Sequence, residues 1–241
     1  MNRINIAMVG MPQSGTTALY NVINCILLSN NVETINVLYH PTAMHNRVVN
    51  ESYLRRYKGT ASILLKEHHF VPFLCNEWAD IIFIMKRDIR DSIASRRRRG
   101  RPLRSKGKVK SGEHTYDPHT FEGFKKWCNY LVKDCYQDWL DGSSASKASI
   151  VLVDYQHFAR DRLGGIREVF RAVQERLDKE LQLDEADILH TIDNLTEAKE
   201  GKYFYSADKR TAGGKINNFH DRLSKQELDY INCAYSEWIE G

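Results

Sequence analysis

Residues 6–17, IAMVGMPQSGTT, restrict the possible folds of this chain more than any other stretch. A strand-like run, residues 4–9, enters a turn that carries Gly10, Pro12, Ser14 and Gly15. An apolar segment with helical spacing, residues 17–28, follows at once. Strand, glycine turn and helix in that order form a cradle for phosphate, because the first amides of a helix have no partner within it and its dipole favours an anion.

The rest of the chain repeats the strand-then-helix rhythm. Short β-rich apolar runs at residues 35–39, 61–65, 81–85 and 150–153 alternate with helical spacing at 88–97, 120–140 and 162–177. The run 81–85, IIFIM, is apolar on both faces, as a central parallel strand requires. These features predict an α/β, three-layer P-loop fold with a central parallel sheet flanked by helices, built as one domain over residues 1–241. Hydrophobic residues make up 42% and charged residues 27%, which excludes wholesale disorder. No run reaches the ~18 apolar residues of a membrane span, and no basic segment followed by a long apolar stretch opens the chain. Five cysteines without a CxxC pair read as reduced, packed thiols, and the expected location is cytoplasmic. No metal is expected: His114 and His119 lack the cysteine or carboxylate company of a metal site.

Ligands of open α/β sheets sit at the carboxyl ends of the strands, so the residues just after each run carry the functional information. These are the glycine loop, then Lys66, Glu67, His68 and His69, then Lys86, Arg87 and Asp88, and finally Asp154 and Tyr155. Together they bring lysine, histidine and arginine toward one anionic ligand. Gly10 and Gly15 keep the spacing of an ATP- or GTP-binding loop, but Thr16 stands where that loop carries its lysine. No acid directly follows residues 81–85 to hold magnesium, so nucleotide hydrolysis is disfavoured.

The loop instead resembles the PKSGTT phosphosulfate loop of sulfotransferases that use 3′-phosphoadenosine 5′-phosphosulfate (PAPS). Four more segments match that family in order. LLKEHH is similar to its Lys-Thr-His segment, KRDIRDSIAS to its 3′-phosphate segment, VLVDYQHF to its strand ending in Tyr-Glu-Asp-Leu, and KRTAGGKINNF to its C-terminal basic glycine segment. The resemblance implies that Gln13, Ser14, Gly15, Thr16 and Thr17 hold the phosphosulfate, and that Arg87 and Ser95 hold the 3′-phosphate with Lys209, Arg210 and Thr211. It places Tyr155 near the adenine, makes His68 the base and assigns Lys66 to the chemistry. It further implies transfer to a hydroxyl or amine of a small-molecule acceptor, with adenosine 3′,5′-bisphosphate released.

Gln13 departs from the pattern by replacing the family's loop lysine with an uncharged side chain, and Lys66, Lys86 and Lys215 are candidates to supply that charge. His69 is as basic as His68, and only the spacing from Lys66 favours the latter. Aromatic and apolar residues from Phe121 to Trp139 pack a helix against the core, one edge of it available to an acceptor. A P-loop kinase and a catalytically weak PAPS-binding relative are the alternatives. The run 96–110, basic and free of acids, suggests nucleic acid, but the chain lacks the base-stacking or groove-reading motifs that would support such a partner. Oligomeric state is not encoded in any of these features.

Overall fold

A computed structural model describes residues 3–37, 44–45, 48–98, 120–193 and 218–239. The order of elements is β1 (Asn5–Gly10), α1 (Thr16–Ser29), β2 (Thr34–Val37), the two-residue strands β3 (Met44–His45) and β4 (Val48–Val49), α2 (Glu51–Tyr57), β5 (Ser62–Lys66), β6 (Ile81–Lys86) and α3 (Ile89–Arg98). Then follow α4 (Phe121–Val132), α5 (Asp138–Ser143), β7 (Ser149–Asp154), α6 (Tyr155–Arg160), α7 (Arg162–Gln174), α8 (Glu185–Asp193) and α9 (Lys225–Ala234).

Five strands form one parallel sheet in the order β2-β5-β1-β6-β7, flanked by helices, the three-layer arrangement expected of a P-loop-like fold. Alternation along the strands divides the core in two. Ile6, Met8, Leu64, Phe83 and Met85 face α1, α7 and α8. Ala7, Val9, Ile63, Leu65, Ile82 and Ile84 face α3, α4 and α9. Because strands of this kind are covered on both sides, they read as unbroken apolar runs.

This division points to the end of the sheet where open α/β folds hold ligands. From β1 the chain turns into α1 on one face, and from the adjacent β6 it turns into α3 on the other. Helices that leave neighbouring strands on opposite faces open a crevice at the strands' carboxyl ends, between the loop after Gly10 and the segment after Lys86.

The helical span expected at 120–140 is broken. α4 ends at Val132, a wide π-type turn spans Lys133–Gln137, and α5 continues to Ser143. In an unbroken α-helix Tyr130 and Trp139 would lie about two and a half turns apart and face opposite sides. The wide turn absorbs about one extra residue and swings Trp139 back toward the side of Tyr130. The sequence reading also missed α6, which starts directly at Tyr155 because Asp154 accepts the His157 amide at 2.8 Å and caps it.

Among the described residues, no helix is long and apolar enough to cross a membrane. All five cysteines are free thiols, four of them buried. The expectations at Lys209, Arg210, Thr211 and Lys215, at His114 and His119, and for most of the basic run 96–110 lie outside the described residues.

Gly10 is where the fold meets the site. Its φ is +133°, and a Cβ there would lie 2.8 Å from the Met85 carbonyl oxygen, a backbone atom held in the sheet. Gly10→Ala is expected to cost about 2–4 kcal/mol, from backbone strain and overpacking together, read as a lower urea midpoint with an unchanged m-value.

Candidate functional site

α1 lacks the side-chain cap that opens five of the other helices. Side chains of Asn50, Thr120, Asp154, Asp161 and Ser224 accept amide hydrogens at the starts of α2, α4, α6, α7 and α9. α1 starts after Gly15, which has no side chain to cap with, a left-handed φ of 108° and no acid in the following turn. The first bonds to close are from Ala18 and Leu19 to the Gly15 carbonyl, at 2.9 and 3.2 Å. The amides of Thr16 and Thr17 therefore precede the ladder and carry the positive end of the helix dipole. In the same loop the Ser14 hydroxyl is buried, at 1% exposure, without a hydrogen-bond partner among the described residues. A buried hydroxyl and an uncapped helix start together make a set of donors suited to phosphate oxygens.

The positive charge comes from neighbouring strands. Lys66, the last residue of β5 and 8% exposed, donates from Nζ to Thr17 Oγ1 at 2.9 Å. Arg87, just past β6, donates from one terminal nitrogen to the Gln13 carbonyl at 2.8 Å. Its guanidinium carbon lies 4.2 Å from the centre of the Tyr155 ring. That ring also covers the glycine loop, since a Cβ on Gly15 would lie 2.2 Å from Tyr155 Cδ2. Gln13 itself takes a left-handed φ of 75°, unusual for a residue with a side chain. Asp88 is bound by Arg90 through the Arg90 amide and guanidinium, the closest contact being 2.5 Å. Ser95 lies on the buried side of α3 at 8% exposure.

The two histidines have different partners. His68 Nδ1 lies 2.8 Å from the Gly10 carbonyl oxygen. An acceptor there requires a hydrogen on Nδ1, so in the neutral ring the lone pair is on Nε2, the nitrogen able to take a proton. His69 Nε2 lies 3.0 Å from the Tyr130 hydroxyl. Trp139 donates from Nε1 to the His68 carbonyl at 3.1 Å, so both aromatic residues aligned by the π-type turn hold this short segment.

Sequence reasoning left out Glu67, Tyr130 and Trp139 as site residues. Glu67 is buried at 4% exposure, and its Oε1 accepts the amides of His68 at 2.7 Å and His69 at 3.1 Å. Burial pushes its carboxyl up to about 7, against the downward pull of those amides and of Lys66. An acid set between a lysine and two histidines at a strand end was the available signal. Tyr130 and Trp139 gave none, because their shared orientation depends on a π-type turn that helical periodicity does not encode.

The structure thus brings Gln13, Ser14, Gly15, Thr16, Thr17, Lys66, His68, Arg87 and Tyr155 to one end of the sheet, with Ser95 on the adjoining helix. Among the described residues no cluster of three or more His, Cys, Asp or Glu is arranged to hold a metal ion. No family model matches the chain, and no curated protein is similar to it in sequence.

Glu67 leads to a pH prediction. A carboxyl whose pKa is raised on folding is held more tightly as the acid in the native state, so its contribution is full at low pH and is lost as pH rises through about 7. From pH 5 to pH 8 this group is expected to lower unfolding stability by about 1–3 kcal/mol. In Glu67→Gln that portion of the slope disappears, as urea titrations across the same range would record.

Proposed function

We propose that the protein is a sulfotransferase that moves the sulfuryl group of PAPS to a hydroxyl or amine of a small-molecule acceptor and releases adenosine 3′,5′-bisphosphate. What supports this most is the uncapped start of α1, whose loop has no lysine of its own, served by Lys66 and Arg87 from the ends of the two strands that flank β1. The ordered resemblance of five sequence segments points the same way.

The donors present fit a phosphosulfate. Ser14, Gly15, Thr16 and Thr17 offer hydroxyl and amide hydrogens to its oxygens. Arg87 presents a planar fork suited to two oxygens of a 3′-phosphate, with Ser95, Lys209, Arg210 and Thr211 assigned to the same group. Tyr155 closes the loop side, where the adenine is assigned. When bound, PAPS supplies an activated sulfuryl group attached to its 5′-phosphate.

The chain's own residues do the remaining work. His68, with Nδ1–H directed at the Gly10 carbonyl, takes the acceptor's proton on Nε2. Lys66 stabilises the negative charge that gathers on the leaving phosphate, the task that Gln13 cannot perform with a neutral amide. No metal takes part in this reading. The acids that follow β5 and β6, Glu67 and Asp88, are engaged by backbone amides and by Arg90 respectively. A cytoplasmic location belongs to the same proposal, with five free thiols in its support. The uncharged Gln13 also favours a second reading, a relative that binds PAPS and turns it over slowly.

Calorimetric titration separates both of these readings from a P-loop kinase. Adenosine 3′,5′-bisphosphate is expected to bind in preference to Mg-ATP, and Arg87→Ala to weaken it about 10- to 100-fold, the loss of a charge-assisted contact. Preference for Mg-ATP would move a P-loop kinase ahead.

Lys66→Met tests the division of labour. Turnover of PAPS is expected to fall about 100-fold or more while bisphosphate affinity changes less than tenfold, the signature of an interaction made mainly in the transition state. If the unmodified protein binds the bisphosphate and leaves PAPS intact across a panel of phenols, alcohols and amines, the slow relative becomes the better description.

A further inference from the structure

Glu67 occupies the place held by threonine in the Lys-Thr-His pattern that LLKEHH resembles, and the side chain there has a specific task. The alternation of β5 sends Ile63 and Leu65 toward α3 and α4 and Lys66 toward α1. Glu67 extends the strand by one more ladder bond, its amide donating to the Met8 carbonyl at 3.0 Å, so it falls on the α3/α4 side beneath the turn that follows. From there its side chain folds back on its own chain. One oxygen, Oε1, accepts two successive amides, those of His68 and His69. Those amides have left the sheet ladder, and Glu67 supplies the acceptor that the ladder no longer gives them. The other oxygen, Oε2, is buried and has no hydrogen-bond partner among the described residues.

We propose that Glu67 is a positioning residue for His68: by holding both amides with one oxygen it fixes the turn from which the His68 ring reaches the Gly10 carbonyl, and so selects the Nδ1–H tautomer. The catalytic meaning of that tautomer rests on the sulfotransferase reading; the positioning itself does not. Among the described residues, four contacts hold the turn in place. Glu67 holds its amides from below, Trp139 holds the His68 carbonyl, Tyr130 meets the His69 ring, and Gly10 receives the His68 ring. Of these, only the Glu67 tie acts on the backbone amide of His68, and it therefore sets where that residue's Cα and ring begin. A threonine hydroxyl must share itself between donating and accepting, whereas a glutamate oxygen accepts only. Two converging amides match that acceptor.

The test reads the ring directly. In ¹⁵N-labelled full-length protein, two-bond ¹H–¹⁵N correlations distinguish the two neutral tautomers of His68, which is assigned by its loss in His68→Gln. The unmodified protein is expected to show mainly Nδ1–H. Glu67→Met, which keeps the volume but has no oxygen, is expected to lose that dominance and give a tautomer mixture. Glu67→Gln, whose amide oxygen can still accept both hydrogens, is expected to restore it. A His68 tautomer unchanged in Glu67→Met would overturn the proposal, as would failure of Glu67→Gln to restore it. Collapse of Glu67→Met together with Glu67→Leu, while Glu67→Gln folds, would also overturn it by making the contact merely structural. Titration of the same samples with adenosine 3′,5′-bisphosphate keeps the two questions apart. No binding by the unmodified protein counts against the sulfotransferase reading alone, whatever the tautomer result.

Discussion

The chain leaves β1 through Gly10 at a φ of +133°, and three parts of the site depend on that one residue. Because Gly10 has no Cβ, β6 can pair beside it up to Met85, which places Arg87 two residues beyond. Its carbonyl receives His68 Nδ1, which ties the turn after β5 to the same point. The glycine loop then runs on to an α1 that no side chain caps. Any residue with a side chain here would have to displace backbone held in the centre of a parallel sheet. The candidate site is therefore built on backbone that the sheet holds in register.

Rigidity has a cost, which is visible in the number of charged groups the site buries. Lys66, Glu67, Arg87 and Asp88 are all less than 9% exposed. A buried charge is tolerable only when another group compensates it. Thr17 accepts from Lys66, Arg90 pairs with Asp88, and Arg87 lies between the Gln13 carbonyl and the face of Tyr155. Glu67 leaves Oε2 without a partner among the described residues, and burial pushes its carboxyl to about 7 even with two amides bound to it. Buried charged residues that converge at one end of a sheet are the pattern that marks a candidate functional site.

The fold was legible because parallel strands covered on both faces appear as apolar runs, and the runs at 4–9, 61–65, 81–85 and 150–153 each fall within a residue of an observed strand. The placement of Lys66, His68, Arg87 and Tyr155 was legible for a related reason: strand ends are fixed by the same runs, and parallel sheets gather them at one edge. The break in residues 120–140 was not legible. Helical periodicity reports which face is apolar, and a single wide turn changes that phase without leaving a breaker residue such as proline in KDCYQ. Tyr130 and Trp139 were missed with it. Glu67 was visible as a residue but not as a participant, because its importance arises from an oxygen that folds back on the next two amides, and spacing along a chain does not disclose that return.

The same geometry bears on the neutral residue in the loop. A lysine within a glycine loop moves as the loop moves, and each of its four side-chain torsions must be restrained before its charge is useful. Lys66 instead ends a strand whose neighbours lie on both sides, and its backbone is paired in register with Met8. Its contact with Thr17 then fixes the ammonium against the first turn of α1. The left-handed Gln13, for its part, gives its carbonyl to Arg87, so that the partial negative charge of this group is met by a cation and does not oppose a bound anion. On the proposed reading the loop supplies backbone donors and the strands supply charge. Gln13 then serves through its backbone, and the charge lost from position 13 is delivered from a better-ordered support.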